Sequence, residues 1–125
     1  MRRTAVAALL VFSGLTSACG GKIVLAPVPA TLAYPDFVAP VLSGSPPSQA
    51  VLVDRGWRFL QAGDLGNAER ELQLALRSAP SFYPAEAALG YLSLAKKGSA
   101  DGLASFDRVL ASHGDYLPAL VGRGL

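Results

Sequence analysis

The 125-residue chain holds one cysteine and one histidine. A lone Cys excludes an internal disulfide framework and a Cys-rich zinc site. A lone His, His113, argues against a histidine metal centre or a catalytic dyad. Charge is scarce too: 16% of residues are Asp, Glu, Lys or Arg, against roughly 25% in an average soluble domain. With 51% hydrophobic residues and a mean hydropathy of +0.37, the chain falls outside the low-hydropathy, high-charge class that stays disordered. No apolar run approaches the roughly 20 residues needed to span a bilayer. Phosphate-binding loops of the GxxxxGK type, paired catalytic carboxylates and Ser/His/Asp sets are all missing, so the expectation is a non-enzymatic protein without metal or cofactor. His113 falls at the end of a predicted helix, where a capping or solvent role outweighs catalysis. Gly20-Gly21 and the glycines at 63 and 66 lack the strand-then-helix setting that phosphate binding needs.

What the chain does have begins with Arg2-Arg3 and eight uninterrupted apolar residues, 5–12. Basic residues, a short apolar stretch and then small residues make a secretory signal. Thr16-Ser17-Ala18 lead into Cys19. This resembles the lipobox of bacterial lipoproteins, with Thr16 where Leu is usual. The resemblance implies a signal peptide over 1–18, a lipidated (palmitate-bearing) Cys19 and an anchor in the cell envelope. Gly20 in place of the Asp that often retains such proteins at the inner membrane favours the outer membrane, facing the periplasm. Ordinary cleavage after Ala18, leaving a free thiol, is the competing reading. Loss of Arg2 and Arg3 brings eleven basic residues down to nine, equal to the nine acidic ones. The net charge of +2 therefore belongs to the export signal and gives no argument for nucleic-acid binding.

Residues 19–47 form a predicted tether. Prolines at 27, 29, 35, 40, 46 and 47 forbid a helix and disfavour strands, leaving extended chain of about 85 Å reach. The tether also carries Ile23-Val24-Leu25 and the stretch from Tyr34 to Val41. Solvated linkers seldom hold such residues. Either the 34–41 stretch docks on the domain that follows or it is incidental to a loose linker.

Residues 48–125 repeat with a period of 34. Gly56 aligns with Gly90 and Gly124, Pro84-Ala85 with Pro118-Ala119, Leu60 with Leu94, and Trp57 with Tyr91. Each unit reads as two helices. Ser48 caps a helix over 49–62, and Asp64 caps one over 65–78 with Leu65, Ala68, Leu72 and Ala75 on its apolar face. Pro84 opens the next helix. Lys96-Lys97-Gly98 closes it. Ser99 or Asp101 opens the fourth, with Leu103, Phe106, Val109 and Leu110 inward. His113-Gly114 ends it, and a fifth begins near Leu117. The pattern Gly56-x-x-Phe59, Ala68-x-x-x-Leu72, Ala75-Leu76, Pro80 and then Leu89-Gly90, Phe106, Val109-Leu110 resembles the tetratricopeptide repeat. Arg55 and Arg123 replace its usual Leu, Ser93 its aromatic, Gly102 its Ala and Gly114 its Pro.

The resemblance implies an all-α helical solenoid with repeats at 49–82 and 83–116 and a partial one at 117–125. It implies a peptide- or protein-binding groove lined by the first helix of each unit: Val53, Trp57, Leu60, Ala87, Tyr91, Leu94, Val121 and Leu125. That face is apolar and lacks the Lys and Asn of clamps for C-terminal carboxylates, so an extended apolar or proline-containing segment is the better guest. Three readings of Trp57 and Tyr91 stand: they receive the chain's own 34–41 stretch, bind an external partner, or merely pack. The apolar edge at Leu117, Leu120, Val121 and Leu125 predicts a longer stack or a covering partner. The functional expectation is an envelope lipoprotein serving as an interaction scaffold. The alternative is the non-catalytic front part of a larger envelope or cell-wall enzyme.

Overall fold

The computed structural model describes residues 29–125. The signal peptide expected over 1–18, Cys19 and Ile23-Val24-Leu25 lie outside the described residues. Those described form five helices and no strand: α1 (Pro47–Gln61), α2 (Leu65–Ser78), α3 (Tyr83–Ala95), α4 (Ser99–Ser112) and α5 (Leu117–Gly124). The expectation of an all-α fold holds. Each helix packs on the next in the chain, and α3 also touches α1 and α5.

The 34-residue period reappears in the main-chain hydrogen bonds of the turns. After α1, Gly63 N–H donates to the Leu60 carbonyl and Asp64 N–H to Phe59; after α3, Lys97 donates to Leu94 and Gly98 to Ser93. After α2, Ala79 donates to Ala75 and Phe82 to Ala79; after α4, His113 donates to Val109 and Tyr116 to His113. Each pair differs by 34 in both partners. The α1–α2 turn has Gly63 at φ +79°, and the α3–α4 turn has Lys97 at φ +61°. Here the expected roles of Lys97 and Gly98 trade places. The left-handed residue that usually wants glycine is the lysine, and Gly98 is the cap of α4.

Local signals explain most helix starts. Asp64 Oδ1 accepts the Asn67 N–H at 3.1 Å. Pro47, Pro84 and Pro118 sit in the first turns of α1, α3 and α5, where a missing N–H costs nothing. Ser48 does not cap α1. The helix starts earlier, at Pro47 after Pro46, and the Ser48 hydroxyl donates to Gln49 instead.

Two clusters make the core. Val53, Leu72, Ala75, Ala85 and Ala88 join α1, α2 and α3. Leu60, Ala68, Ala87, Tyr91, Phe106 and Val109 belong to a second, which continues to Tyr116 and Ala119. Glycines bring the helices close. A Cβ on Gly56 would lie 2.7 Å from Leu72 Cγ, and one on Gly90 would lie 2.7 Å from Phe106 Cε1. Gly122 presses on the Phe106 ring from α5. Gly124, the residue in register with Gly90, has nothing within 4 Å. Its counterparts face the helix that follows them, and no helix follows α5 among the described residues. Leu103 departs from expectation as well. The inward face of α4 is Gly102, Ser105, Phe106 and Val109, so Leu103 is turned outward and 40% exposed.

Ion pairs bridge consecutive helices: Arg55–Glu71 from α1 to α2, where the Glu71 carboxylate is buried, Lys96–Glu69 from the end of α3 to α2, Arg108–Glu86 from α4 to α3, and Arg123–Asp107 from α5 to α4. Partly exposed pairs contribute about 0–1 kcal/mol each, so they align helices that apolar burial holds.

Gly90→Ala is expected to destabilise by about 1–3 kcal/mol through overpacking against Phe106, whereas Gly124→Ala stays within about 0.5 kcal/mol. Urea midpoints of the two variants decide this. Lys97→Gly relieves a left-handed lysine and is expected to stabilise the fold by about 0.5–1 kcal/mol, read as a higher urea midpoint.

Candidate functional site

Residues 33–41 lie across α1, α3 and α5. Their course starts at the C-terminal end of α1. The Ala33 N–H donates to the Gln61 main-chain carbonyl at 2.8 Å. The Gln61 side chain then grips both sides of Tyr34: its Oε1 accepts the Tyr34 N–H at 3.1 Å, and its Nε2 donates to the Tyr34 carbonyl at 3.0 Å. A side-chain amide carries donors on its nitrogen and an acceptor oxygen, so it can bond the carbonyl and the N–H of one residue at once. Gln61 is 3% exposed, so this pairing also satisfies a buried polar group.

In the middle, a Tyr34-Pro35-Asp36-Phe37 turn closes with the Phe37 N–H on the Tyr34 carbonyl and stacks the two rings 4.8 Å apart. Phe37 meets Tyr91 of α3 at 4.9 Å. Tyr91 is edge-on to Trp57 of α1 at 5.4 Å and to Phe106 of α4 at 5.0 Å, and its hydroxyl donates to the Pro118 carbonyl of α5 at 2.7 Å. Pro40 is buried. At the far end Tyr116, the residue before α5, repeats the trick of Gln61. Its hydroxyl accepts the Val41 N–H at 2.9 Å and donates to the Val41 carbonyl at 3.3 Å. The Tyr116 ring stands edge-on to Tyr83 at 4.9 Å, and His113 stacks on the other ring's face at 3.6 Å.

Ordering a residue costs about 1–2 kcal/mol, while a neutral hydrogen bond returns about 0.5–1.5 kcal/mol net. Main-chain bonds alone therefore cannot hold nine residues. The Phe37 stack and the burial of Pro40 and Val38 supply the rest, and the two amphoteric clamps set where the chain runs.

The groove residues expected from the repeat pattern divide. Tyr91, fully buried, lies beneath Phe37 of the 33–41 stretch, and Trp57, part-buried, stands edge-on to Tyr91. Leu60 and Ala87 are fully buried in the same cluster, and Leu94 packs beside it, with its side chain against Gly102 of α4. Val53 has no exposed surface and belongs to the other cluster; it fills the space between helices instead of lining a groove. Val121 is part-buried on α5, and Leu125 is 61% exposed. Gln61 and Tyr116 were missed. Only a polar residue in the otherwise apolar end of α1, and an aromatic repeating Phe82, signalled them.

Burial pushes the Tyr91 hydroxyl above the usual phenol range, with the Val38 main chain opposing. Burial pushes Tyr116 up to about 12; the Val41 hydrogen bond opposes, and Tyr83 and Tyr91 add to the rise. No group of three or more His, Cys, Asp or Glu able to hold a metal occurs among the described residues, and no described helix is long and apolar enough to cross a membrane. A separate cavity of about 210 Å³ opens between Pro80, Phe82, Tyr83 and Ser112, where Glu86 and Arg108 neutralise each other.

No family model, no curated protein and no solved structure matches this chain.

Gln61→Leu is expected to release the start of the stretch. Amide exchange at Ala33 and Tyr34 should speed up by about tenfold or more while α3 and α4 stay protected. Tyr116 makes stability fall at high pH. Its folded value of about 12 exceeds the ordinary 10, so the unfolded chain loses this proton first. The contribution is complete below pH 10 and gone above pH 12. Urea midpoints at pH 8, 10 and 11.5 should fall more steeply for the natural chain than for Tyr116→Phe.

Proposed function

We propose that this chain is a non-enzymatic interaction scaffold of the tetratricopeptide type, exported and held in the cell envelope by lipid on Cys19, with the face of α1, α3 and α5 as its binding surface. The observation that carries the reading is the pair of clamps, Gln61 and Tyr116, each gripping the N–H and carbonyl of one residue of a non-helical segment. Main-chain recognition of this kind suits a peptide and offers nothing to a small substrate. Support for the repeat assignment comes from turn hydrogen bonds that recur at 34 residues and from Gly56 and Gly90 at the matching close contacts. The anchor rests on the sequence before residue 29, and the outer membrane follows from Gly20.

Two measurements test this. Cells fed a palmitate analogue should label the natural chain, and Cys19→Ser should abolish the label and move the protein out of the membrane fraction. Capture from solubilised envelopes, followed by mass spectrometry, should yield a discrete protein partner that is lost with Trp57→Ala. Unlabelled protein would overturn the anchor. A partner set unchanged by Trp57→Ala would overturn the binding face.

A further inference from the structure

Residues 33–41 are arranged as a ligand. They run from the end of α1 through the Tyr34–Phe37 turn and then on to Tyr116, the residue before α5, gripped at Tyr34 and Val41, seven residues apart. Between the grips, one aromatic side chain at the third position after the first clamp lies on Tyr91, and one proline at the sixth is buried. The clamps read main chain only, so they tolerate any side chain at their own positions. Selectivity therefore falls on the two positions between. Residues 42–46 lead from the stretch into α1: Leu42 packs on the core, Gly44 is exposed at φ +74°, and one main-chain bond, Ser45 N–H to the Leu42 carbonyl, closes the bend. Its one acidic residue, Asp36, is exposed and pairs with no cation among the described residues.

We infer that residues 33–41 are a tethered internal ligand, and that the face beneath them admits a segment of another protein with the same register: a turn at its start, uncharged at its anchors, aromatic at the third position after the Gln61-bound residue and proline at the sixth. The external segment binds by displacing the internal one. This rests on the scaffold reading for its biological meaning but on the geometry alone for its competition. A short tether presents its ligand at an effective concentration in about the millimolar range or above, so the closed chain answers only to a partner of high affinity or high local abundance. Weakening the internal segment opens the site.

The test uses the full chain and a fluorescent peptide corresponding to residues 32–42. Anisotropy titrations compare the natural protein with Phe37→Ser, which removes the anchor ring, and with Val41→Pro, which removes the N–H given to Tyr116 while changing an exposed side chain. Circular dichroism confirms that each variant keeps its helices. Both variants are expected to bind the peptide at least tenfold more tightly than the natural chain, and a peptide carrying Ser in place of its Phe is expected to bind none of them. Equal binding to all three proteins, or binding to none, overturns the inference. So does a mass that doubles with concentration in light scattering, because the site would then take the segment of a second copy. The outcomes separate from those of the scaffold reading. Peptide competition without any envelope partner overturns the scaffold alone. A Trp57-dependent partner that binds natural and Phe37→Ser chains equally overturns the internal ligand alone.

Discussion

Tyr91 is where the structure is tied together. Its ring is fully buried and touches Trp57 of α1, Phe106 of α4 and Phe37 of the N-terminal stretch, while its hydroxyl reaches α5 through Pro118. Four chain segments thus meet on one side chain. An aromatic pair adds about 0.5–1.5 kcal/mol beyond its area burial, so three such pairs on one ring make its position costly to change. The glycines follow from this. Phe106 can stand against Tyr91 only because Gly90 and Gly122 leave room for its ring. The N-terminal stretch follows too, since Phe37 needs a fixed aromatic surface to stack on.

Much of this was legible from spacing. The 34-residue offset forecast helix starts within two residues and put Trp57 and Tyr91 on a common face, because identical turns demand identical residues: Gly or a tolerant substitute in the left-handed position, Asp as cap, Pro in first turns. What spacing could not give was depth. Val53 and Trp57 lie four residues apart on one helical face, yet Val53 meets Ala85 and Ala88 while Trp57 remains part-buried. The difference comes from how α3 crosses α1, which no local pattern encodes. Gln61 was hidden for a related reason. An amide at a helix end is ordinary until another stretch of chain brings its own N–H and carbonyl to it.

The uneven distribution of polarity has the same origin. Polar side chains within the site are neutral, one amide and two phenols, and each finishes its hydrogen bonding on main chain. The ionic groups lie away from this site, one bridge between each pair of successive helices, and of these only Glu71 is buried, against Arg55. The scarcity of charge noted in the composition therefore does not mean a featureless interior. Groups that both donate and accept can line an apolar site at little desolvation cost, which a carboxylate or ammonium could not.

The clamp on Val41 is separated from its partner Tyr116 by 75 residues. A chain made from its N-terminus produces the 33–41 stretch before any of the helices that hold it, and the last of its contacts waits for the residues leading into α5. Throughout synthesis the Val41 end of the stretch travels unclaimed, and the site can close only once the residues leading into α5 have been made. The earliest part of the described chain is thus the last to find its place, and during that interval the half-built face stands open to whatever polypeptide is nearest.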